Sequence, residues 1–296
     1  SADEALEDYV SQHQNCGTDI CVQCKNNECI YIRGHLTEDN PFLCEKWNIV
    51  VEDNCTAHIL HVISSDSTVS AFSAGLIKVK AKKNAVVHIT LAQLTGEATQ
   101  DWQQLVIEAE ENAKVEAVRV LLGSTQSFSA VKTLLKGDNA DFSLDTFCQE
   151  KSTQYVDIND YIIHCGQNTT SRMYTSGILD DESTRVYRGT IDFQKGCMHS
   201  SGQETDDVLL MSPKVHNRTC PLILCGEESV AGEHAATIGR FNDEHLFYLC
   251  SRGLTPEQAK QLLIRAKTEN VVNKIPDESV RQNILDFAEK RAVTYA

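Results

Sequence analysis

A corner-like dipeptide recurs along the chain at nearly constant spacing. Asparagine followed by a small residue occurs four times, and a related sequence comes next: Asn54-Cys55, Asn84-Ala85, Asn112-Ala113, Asn139-Ala140 and Gly166-Gln167-Asn168. The intervals between their first residues are 30, 28, 27 and 27 residues. Asparagine readily adopts the left-handed conformation of a tight corner. A period of this length indicates one supersecondary unit stacked on the next.

Apolar and polar residues alternate between these corners. Ile77, Val79 and Ala81 are separated by lysines, and Phe142 and Leu144 are separated by a serine. A period of two is typical of β-strands, whereas helical repeats of similar length need amphipathic helices. We therefore predict a mainly β fold, a right-handed parallel β-helix (solenoid) with about two strands per repeat. The spacing alone leaves an antiparallel β-sandwich open.

Helical patterns appear near the C-terminus. Residues 243–250 predict a short helix that is closed by the glycine cap Gly253. Thr255-Pro256-Glu257-Gln258 is a capping box that begins a second helix, and a third helix is predicted from about Asp277. The apolar faces predicted for the second and third helices are Ala259, Leu262, Leu263 and Ala266, and Val280, Ile284, Phe287 and Ala288.

These patterns divide the chain into three parts. We predict an N-terminal cysteine-rich segment at 1–40, a β-helix core at 41–240 and a small helical C-terminal domain at 241–296. The 296 residues are enough to bury a core without disulfide or metal staples.

The charge and the terminal sequence limit the partners that we expect. Lys and Arg number 27 against 42 Asp and Glu, and the resulting net charge of −15 repels phosphate backbones. No segment approaches the roughly eighteen apolar residues of a membrane span. The acidic first residues lack the basic and apolar regions of a signal peptide. We therefore expect a cytoplasmic protein that binds neither nucleic acid nor membrane.

Four of the 12 cysteines lie close together. Cys16, Cys21, Cys24 and Cys29 form a C-x4-C-x2-C-x4-C pattern that could hold zinc or an iron–sulfur cluster. The alternative is a β-hairpin over 20–32 in which the cysteines are small strand residues. Six further cysteines lie in apolar contexts and are predicted to be buried thiols: Cys148, Cys165, Cys197, Cys220, Cys225 and Cys250.

Three ordered stretches within about residues 160–266 resemble the SufB/SufD family of iron–sulfur cluster assembly proteins. The strongest is GEHAATIGR at 232–240, which continues through DEHLFYL at 243–249 into Ser251-Arg252-Gly253. The second is HCGQNTTS at 164–171, followed by Arg188-Gly189. The third is DVLLMS at 207–212. The resemblance is to a short, SufD-like form of the family.

The resemblance implies a function as well as a fold. It implies a non-enzymatic scaffold that helps to assemble a transient, nascent Fe–S cluster at a subunit interface. A SufC-like ABC ATPase would dock on about residues 241–266. The chain would pair with itself or with a SufB-like chain through the β-helix. No Gly-rich P-loop occurs in the sequence, so we expect the ATPase activity to belong to the partner.

Two residues are candidate cluster ligands on the strength of the resemblance. His234 matches the motif histidine, and a neutral imidazole is a competent iron ligand. Glu233 precedes it and could bind iron or orient the imidazole, or it could be a solvated turn residue. At two positions the chain departs from SufB: Asp206 replaces the sulfur-accepting cysteine, and Ala235 replaces a glutamate. A carboxylate cannot accept sulfane sulfur, which requires a thiolate.

Two other functions remain open from the sequence. The first is a purely structural SufD-like partner that ligates nothing. The second, more distant, is a β-helix carbohydrate-active enzyme using clustered acids such as Asp180, Asp181 and Glu182.

Overall fold

The computed structural model describes residues 2–23, 28–241 and 243–293, and these form two eight-stranded parallel sheets and four helices. Sheet A contains, in spatial order, β1 (Asp19–Val22), β3 (Phe42–Val51), β5 (Phe72–Ala81), β7 (Gln100–Ala109), β9 (Gln126–Leu135), β11 (Tyr155–His164), β13 (Thr184–Phe193) and β15 (His216–Cys225). Sheet B contains β2 (Glu28–Leu36), β4 (Thr56–Ser65), β6 (Val86–Leu94), β8 (Lys114–Leu122), β10 (Asp141–Glu150), β12 (Thr170–Leu179), β14 (Ser201–Leu210) and β16 (Ala231–Arg240).

Odd-numbered strands lie in one sheet and even-numbered strands in the other, so each turn of the chain adds one strand to each sheet. The strands pair in parallel and in register throughout. This arrangement confirms the predicted parallel β-solenoid and excludes the antiparallel sandwich.

The asparagine corners are where the sequence predicted them. Asn54, Asn84, Asn112, Asn139 and Asn168 all have positive φ, between 54° and 58°. The first four also form a ladder along the solenoid. Each Nδ2 donates to the Oδ1 of the asparagine one turn earlier, at 2.9, 3.0 and 3.1 Å. The ladder therefore satisfies the corner side chains and holds successive turns in register.

The opposite corner uses other residues and was not predicted. Ser124, Ser152 and Asp181 have φ of 57°, 54° and 54° at the turns between even and odd strands. The Ser152 amide donates to the Asp181 carboxylate one turn later at 2.8 Å. The acidic group around Asp181 is thus part of a corner. Serine and aspartate are common in ordinary turns, so no periodic pattern of residues marks this corner in the sequence.

The interior of the solenoid is apolar on one side and polar on the other. Ile77, Ile107 and Phe142 belong to a continuous apolar cluster near the asparagine corners. Toward the opposite corner the interior contains fully buried charges, including an Arg119 Nη2 to Asp160 Oδ2 ion pair of 2.7 Å. Buried ions require such partners because desolvation otherwise costs several kcal/mol per ion.

The helices cover the outer faces of the sheets. Helix α1 (Ala2–His13) packs on sheet A. Helices α3 (Pro256–Val272) and α4 (Glu278–Val293) pack on sheet B, and α2 (Asp243–Ser251) precedes them and contacts α3. The Thr255 capping box is present, and Gly253 has φ +96° after α2. No described helix is both long and apolar enough to cross a membrane.

One helix face differs from its prediction. Val280, Ile284 and Ala288 of α4 are buried as expected. In α3, however, the buried residues are Ala259, Ile264, Thr268, Val271 and Val272, while Leu262 is 49% exposed. Two apolar stripes compete on this helix, and the packing against sheet B selects the one that continues into Val271 and Val272.

The N-terminal segment also differs from its prediction. Strands β1 and β2 already belong to the sheets, which therefore begin before the predicted boundary at residue 41. The predicted hairpin over 20–32 is wrong, because β1 pairs with β3 in sheet A and β2 pairs with β4 in sheet B. The strands β1 and β2 are successive strands of one solenoid turn. A hairpin and a solenoid turn have the same alternation of apolar and polar residues, so this pattern cannot distinguish them.

The asparagine ladder can be tested at Asn112, which both donates and accepts in it. Asn112→Ala loses the ladder and places alanine in the left-handed region, so we expect a loss of about 2 kcal/mol in unfolding free energy. Asn112→Gly relieves the backbone and should lose about half as much. Urea unfolding measures both. Equal losses of unfolding free energy in the two variants would show that the left-handed backbone conformation of residue 112 contributes nothing to stability.

Candidate functional site

The predicted ligands His234 and Glu233 lie on β16, the terminal strand of sheet B. Both side chains are exposed. Within the described residues β16 pairs only with β14, so its other backbone edge is free. The neighbouring strand β15 is likewise the terminal strand of sheet A. The candidate ligands are therefore at the open end of the solenoid, where a further strand can be added.

Strand alternation places the two candidates on opposite faces of the sheet. His234 is in register with Glu204, which is buried in the solenoid interior, so His234 faces the open end of the interior. Glu233 is in register with exposed Gln203 and faces outward. Neighbours in the sequence thus point away from each other, and both would need additional donors to bind a metal ion.

Asp206, which the sequence resemblance matched to the sulfur-accepting cysteine of SufB, is held by a buried ion pair. The Arg185 guanidinium donates to its two carboxylate oxygens at 2.7 and 3.2 Å, and the Thr219 hydroxyl donates at 2.8 Å. Arg185 and Asp206 are both almost fully buried. With both oxygens bound within the protein, Asp206 has a structural role in this conformation.

Glu204 is a neighbour of the site that the sequence analysis missed. It is 1% exposed, and its carboxylate lies over Gly189, where a Cβ atom would be 2.3 Å from Oε1. Burial, reinforced by the carboxylates of Asp160 and Asp206, raises the pKa of Glu204 to about 7. Among the described residues, its Oε2 atom has no hydrogen-bond partner. The sequence signal that could have identified Glu204 is the alternation along β14, which places it on the same inward side as Asp206 and Val208.

The N-terminal cysteines are distributed over both sheets. Cys16 bridges to β3 and Cys21 lies on β1, both on the side of sheet A, whereas Cys29 lies on β2 in sheet B. Cys24 lies outside the described residues. In the part of the chain that the structure describes, no three His, Cys, Asp or Glu side chains already form a metal-binding group. The four-thiol site stays a prediction.

The six later cysteines are not uniformly buried. Cys148 and Cys197 are fully buried, and burial raises the pKa of Cys148 to about 12. Cys165, Cys220 and Cys225 are exposed, so the prediction of buried thiols is wrong for them. Cys220 and Cys225 belong to β15, the terminal strand of sheet A.

Helix α2 presents aromatic side chains to solvent. Phe247 is 75% exposed and Tyr248 is 56% exposed. The Arg252 guanidinium lies 5.3 Å from the Tyr248 ring centre, which orients that ring at the surface. Large exposed aromatic residues next to each other on one helix are typical of a protein interaction site.

Comparison with known proteins agrees with this geometry. The family described as "SUF system FeS cluster assembly, SufBD core domain" matches residues 35–267. The chain belongs to this family. The SufBD match begins at the end of β2, covers the strands from β3 to β16 and continues into α3.

Individual relatives are similar over much of the chain. The Bacillus subtilis protein "Iron-sulfur cluster assembly protein SufD" is 25% identical over 82% of this chain and 59% of its own length. The Escherichia coli SufD is 27% identical over 59% of this chain and 41% of its own length. The B. subtilis SufB is 22% identical over 82% and 52%, respectively. This SufBD chain thus spans about half the length of the curated relatives it matches.

The raised pKa of Glu204 predicts a specific pH dependence. Its folded pKa of about 7 exceeds the ordinary value of 4.5, so the folded state binds more protons between these pH values. Glu204 therefore destabilises the fold progressively as pH rises through this window. The urea midpoint of Glu204→Gln should fall less than that of the wild type from about pH 5 to pH 8.

The exposed Glu233 on the adjacent strand provides the matched control for this comparison. Glu233→Gln should retain the pH dependence of the wild type. If the urea midpoints of the wild type and Glu204→Gln changed in parallel with pH, Glu204 would be shown to be ionised in the folded protein at neutral pH.

Proposed function

We propose that this chain is a non-enzymatic scaffold of iron–sulfur cluster assembly that helps to hold a nascent cluster at a subunit interface. The observation that carries the proposal is the position of the motif histidine. His234 is exposed on the free edge strand β16 and faces the open end of the solenoid. The nascent cluster is cargo, and His234 would donate one imidazole ligand to its iron.

The open end supports pairing with another subunit. Leu222 and Leu224 on β15 and Ile238 on β16 are 49%, 39% and 53% exposed. Free backbone edges next to exposed apolar residues favour the addition of a strand from another chain. A SufB-like chain or a second copy would thereby bring further ligands next to His234. Glu233 projects from the outer face of the sheet, so it would contact such a partner only where the partner extends over that face.

A SufC-like ABC ATPase would dock on about residues 241–266. Phe247 and Tyr248 supply exposed aromatic anchors in that range. The segment is also connected to the cluster strand. Lys267 of α3 forms a 2.7 Å ion pair with Asp207 of β14, and β14 pairs directly with β16. Movement of the helices would therefore act on the strand beside His234.

Cluster binding is tested by measuring iron and acid-labile sulfide per chain after anaerobic reconstitution. We expect the wild type to hold both and His234→Ala to lose about tenfold in affinity for iron. His216→Ala, an exposed histidine on the adjacent edge strand, is the matched control and should retain both. Equal loading of wild type and His234→Ala would place the cluster elsewhere. Loading of neither would favour the purely structural SufD-like role.

Partner docking is tested by a pull-down with a SufC-type ABC ATPase. Phe247→Ala/Tyr248→Ala removes the two exposed anchors, and we expect binding to weaken about tenfold or more. Phe128→Ala, which truncates a 37% exposed aromatic residue on sheet A, should bind like the wild type. Unchanged binding of the double variant would exclude α2 as the docking element.

A further inference from the structure

The outer face of sheet A is covered by a helix over its first strands. Helix α1 contacts β3, β5 and β7 on this face, and α3 and α4 pack on the other sheet. On the later strands, β9–β15, the same face carries exposed apolar side chains. Leu222 and Leu224 are two of them, because they alternate with Ile223, which packs on the interior cluster.

Helix α1 shows which kind of segment this face accepts. Its Val10 packs with Ala74 and Leu76 of the sheet. Glu7 of the same helix forms an ion pair with Lys78 of β5. The 12 residues of α1 include four carboxylates and neither lysine nor arginine. Sheet A thus holds an acidic amphipathic helix through apolar contacts and an ion pair between a carboxylate and a lysine.

The lysine of this contact recurs two turns later. Lys78 is in register with Val106 of β7, and Val106 is in register with Lys132 of β9. In-register residues of a parallel sheet project from the same face, so Lys132 lies on the outer face of sheet A. Lys78 is paired with Glu7, whereas Lys132 has no ion-pair partner among the residues that the structure describes. Lys132 is therefore available to a carboxylate of another molecule.

An apolar row crosses the strands beside Lys132. Leu134 of β9 is in register with Ile163 of β11. The row continues through Asp192 of β13 to Leu224 of β15. A groove of about 580 Å³ lies along it, and its lining includes Lys132 and Ile163. We call Leu134, Ile163 and Leu224 the outer stripe.

The charges of this surface favour a carboxylate-rich partner. The outward strand positions of β9–β15 carry three cations and two carboxylates, a net charge of +1, whereas the whole chain has a net charge of −15. The cations are Lys132, Arg188 and Arg218, and the carboxylates are Asp157 and Asp192. Arg188 binds Asp157 at 2.8 Å. Asp192 is 8% exposed and accepts a hydrogen bond from the Tyr161 hydroxyl at 2.7 Å. The excess positive charge therefore lies on Lys132 and Arg218.

The direction of the outer stripe favours a helix over an extended segment. The backbone groups of interior strands are bonded within the sheet, so its face offers side chains and not backbone partners. From Leu134 to Leu224 there are three strand spacings, about 14 Å. A helix of about ten residues spans this distance. Helix α1, with 12 residues, has a similar length.

We propose that the outer stripe and Lys132 dock an acidic amphipathic helix of a partner protein. Apolar side chains of that helix cover the outer stripe, and one of its carboxylates pairs with Lys132 as Glu7 pairs with Lys78. The site goes beyond the proposed function and does not depend on it. His234 lies on the terminal strand of the other sheet and faces the interior, away from this surface.

The test is fluorescence anisotropy of a fluorescein-labelled peptide with the α1 sequence, residues 2–13, titrated with the full chain. The chain's own α1 covers β3–β7, so added peptide reports on the uncovered part of the face. We expect saturable binding that Lys132→Glu weakens about tenfold, because attraction is replaced by repulsion. Lys78→Glu, in the same row, is the matched control and should bind like the wild type. A loss in Lys78→Glu equal to that in Lys132→Glu would show that the peptide displaces α1, and would overturn the proposal.

The chemistry of the probe is tested separately. A peptide with amides in place of its four carboxylates should bind the wild type about tenfold more weakly, and Lys132→Glu should not weaken it further. Equal binding of the acidic and amide peptides would exclude the charge contact. The circular dichroism of the acidic peptide should become helical on binding. A bound peptide without helical signal would exclude a helix as the occupant.

The apolar contact is tested with Ile163→Thr, which keeps a β-branched strand residue and should weaken binding about fivefold. Ile238→Thr, at the open end of the solenoid, is its control and should bind like the wild type. An equal loss in both would place the peptide at the open end and overturn the site. His234→Ala should also bind like the wild type, so that failure of the cluster proposal and failure of this one are distinguishable.

Two further outcomes would overturn the proposal. The first is the absence of saturable binding to a wild type whose urea midpoint shows that it is folded. The second is a wild type that sediments as a dimer and a Lys132→Glu variant that sediments as a monomer, which would show that a second copy of the chain covers this face. Urea midpoints of the variants within experimental error of the wild type establish that they are folded.

Discussion

In-register stacking of parallel strands is the constraint on which the rest of this structure depends. Each strand pairs with the strand one turn before and one turn after it, and the corner asparagines repeat the same register in their side chains. A shift of one residue would exchange the interior and exterior faces of every strand. Stacking therefore arranges similar positions of successive turns into rows, and a row is the unit in which this protein organises side chains.

The rows explain why buried charges are tolerated inside the solenoid. Arg119 reaches from β8 to Asp160 on β11 and also donates to Thr146 and Ser129. Arg119 thus finds its charged partner on the opposite sheet, and its remaining contacts are to hydroxyl groups. Replacing one member of such a set by an apolar residue would leave an unpaired buried charge, which costs more than the pair contributes.

The sequence predicted the solenoid because its strongest signals are local. Asn112 and its equivalents have a conformational preference, and residues such as Ile77 and Val79 alternate over a few positions. Features that depend on contacts between distant parts of the chain could not be predicted from these local signals. The face of α3 that contains Ile264 is one example, since it is selected by packing on sheet B.

The candidate site shows the same division between local and long-range information. The motif identified His234, but its relation to Glu204 depends on the pairing of β14 with β16, thirty residues apart in sequence. Glu233 is adjacent in sequence and lies on the other face. Sequence proximity therefore suggested Glu233 as the neighbour of the histidine, whereas the register places the buried carboxylate of Glu204 beside it.

The same stacking that stabilises the interior leaves its last turn incomplete. Every interior strand has two neighbours, but β15 and β16 have one each among the described residues, and their apolar side chains remain in solvent. Terminal repeats of solenoids normally carry a polar cap. Here the last turn carries Leu222, Ile238 and the motif histidine instead. Under the proposed function, a second chain would complete this surface, so that folding stability and cluster assembly would depend on the same contact.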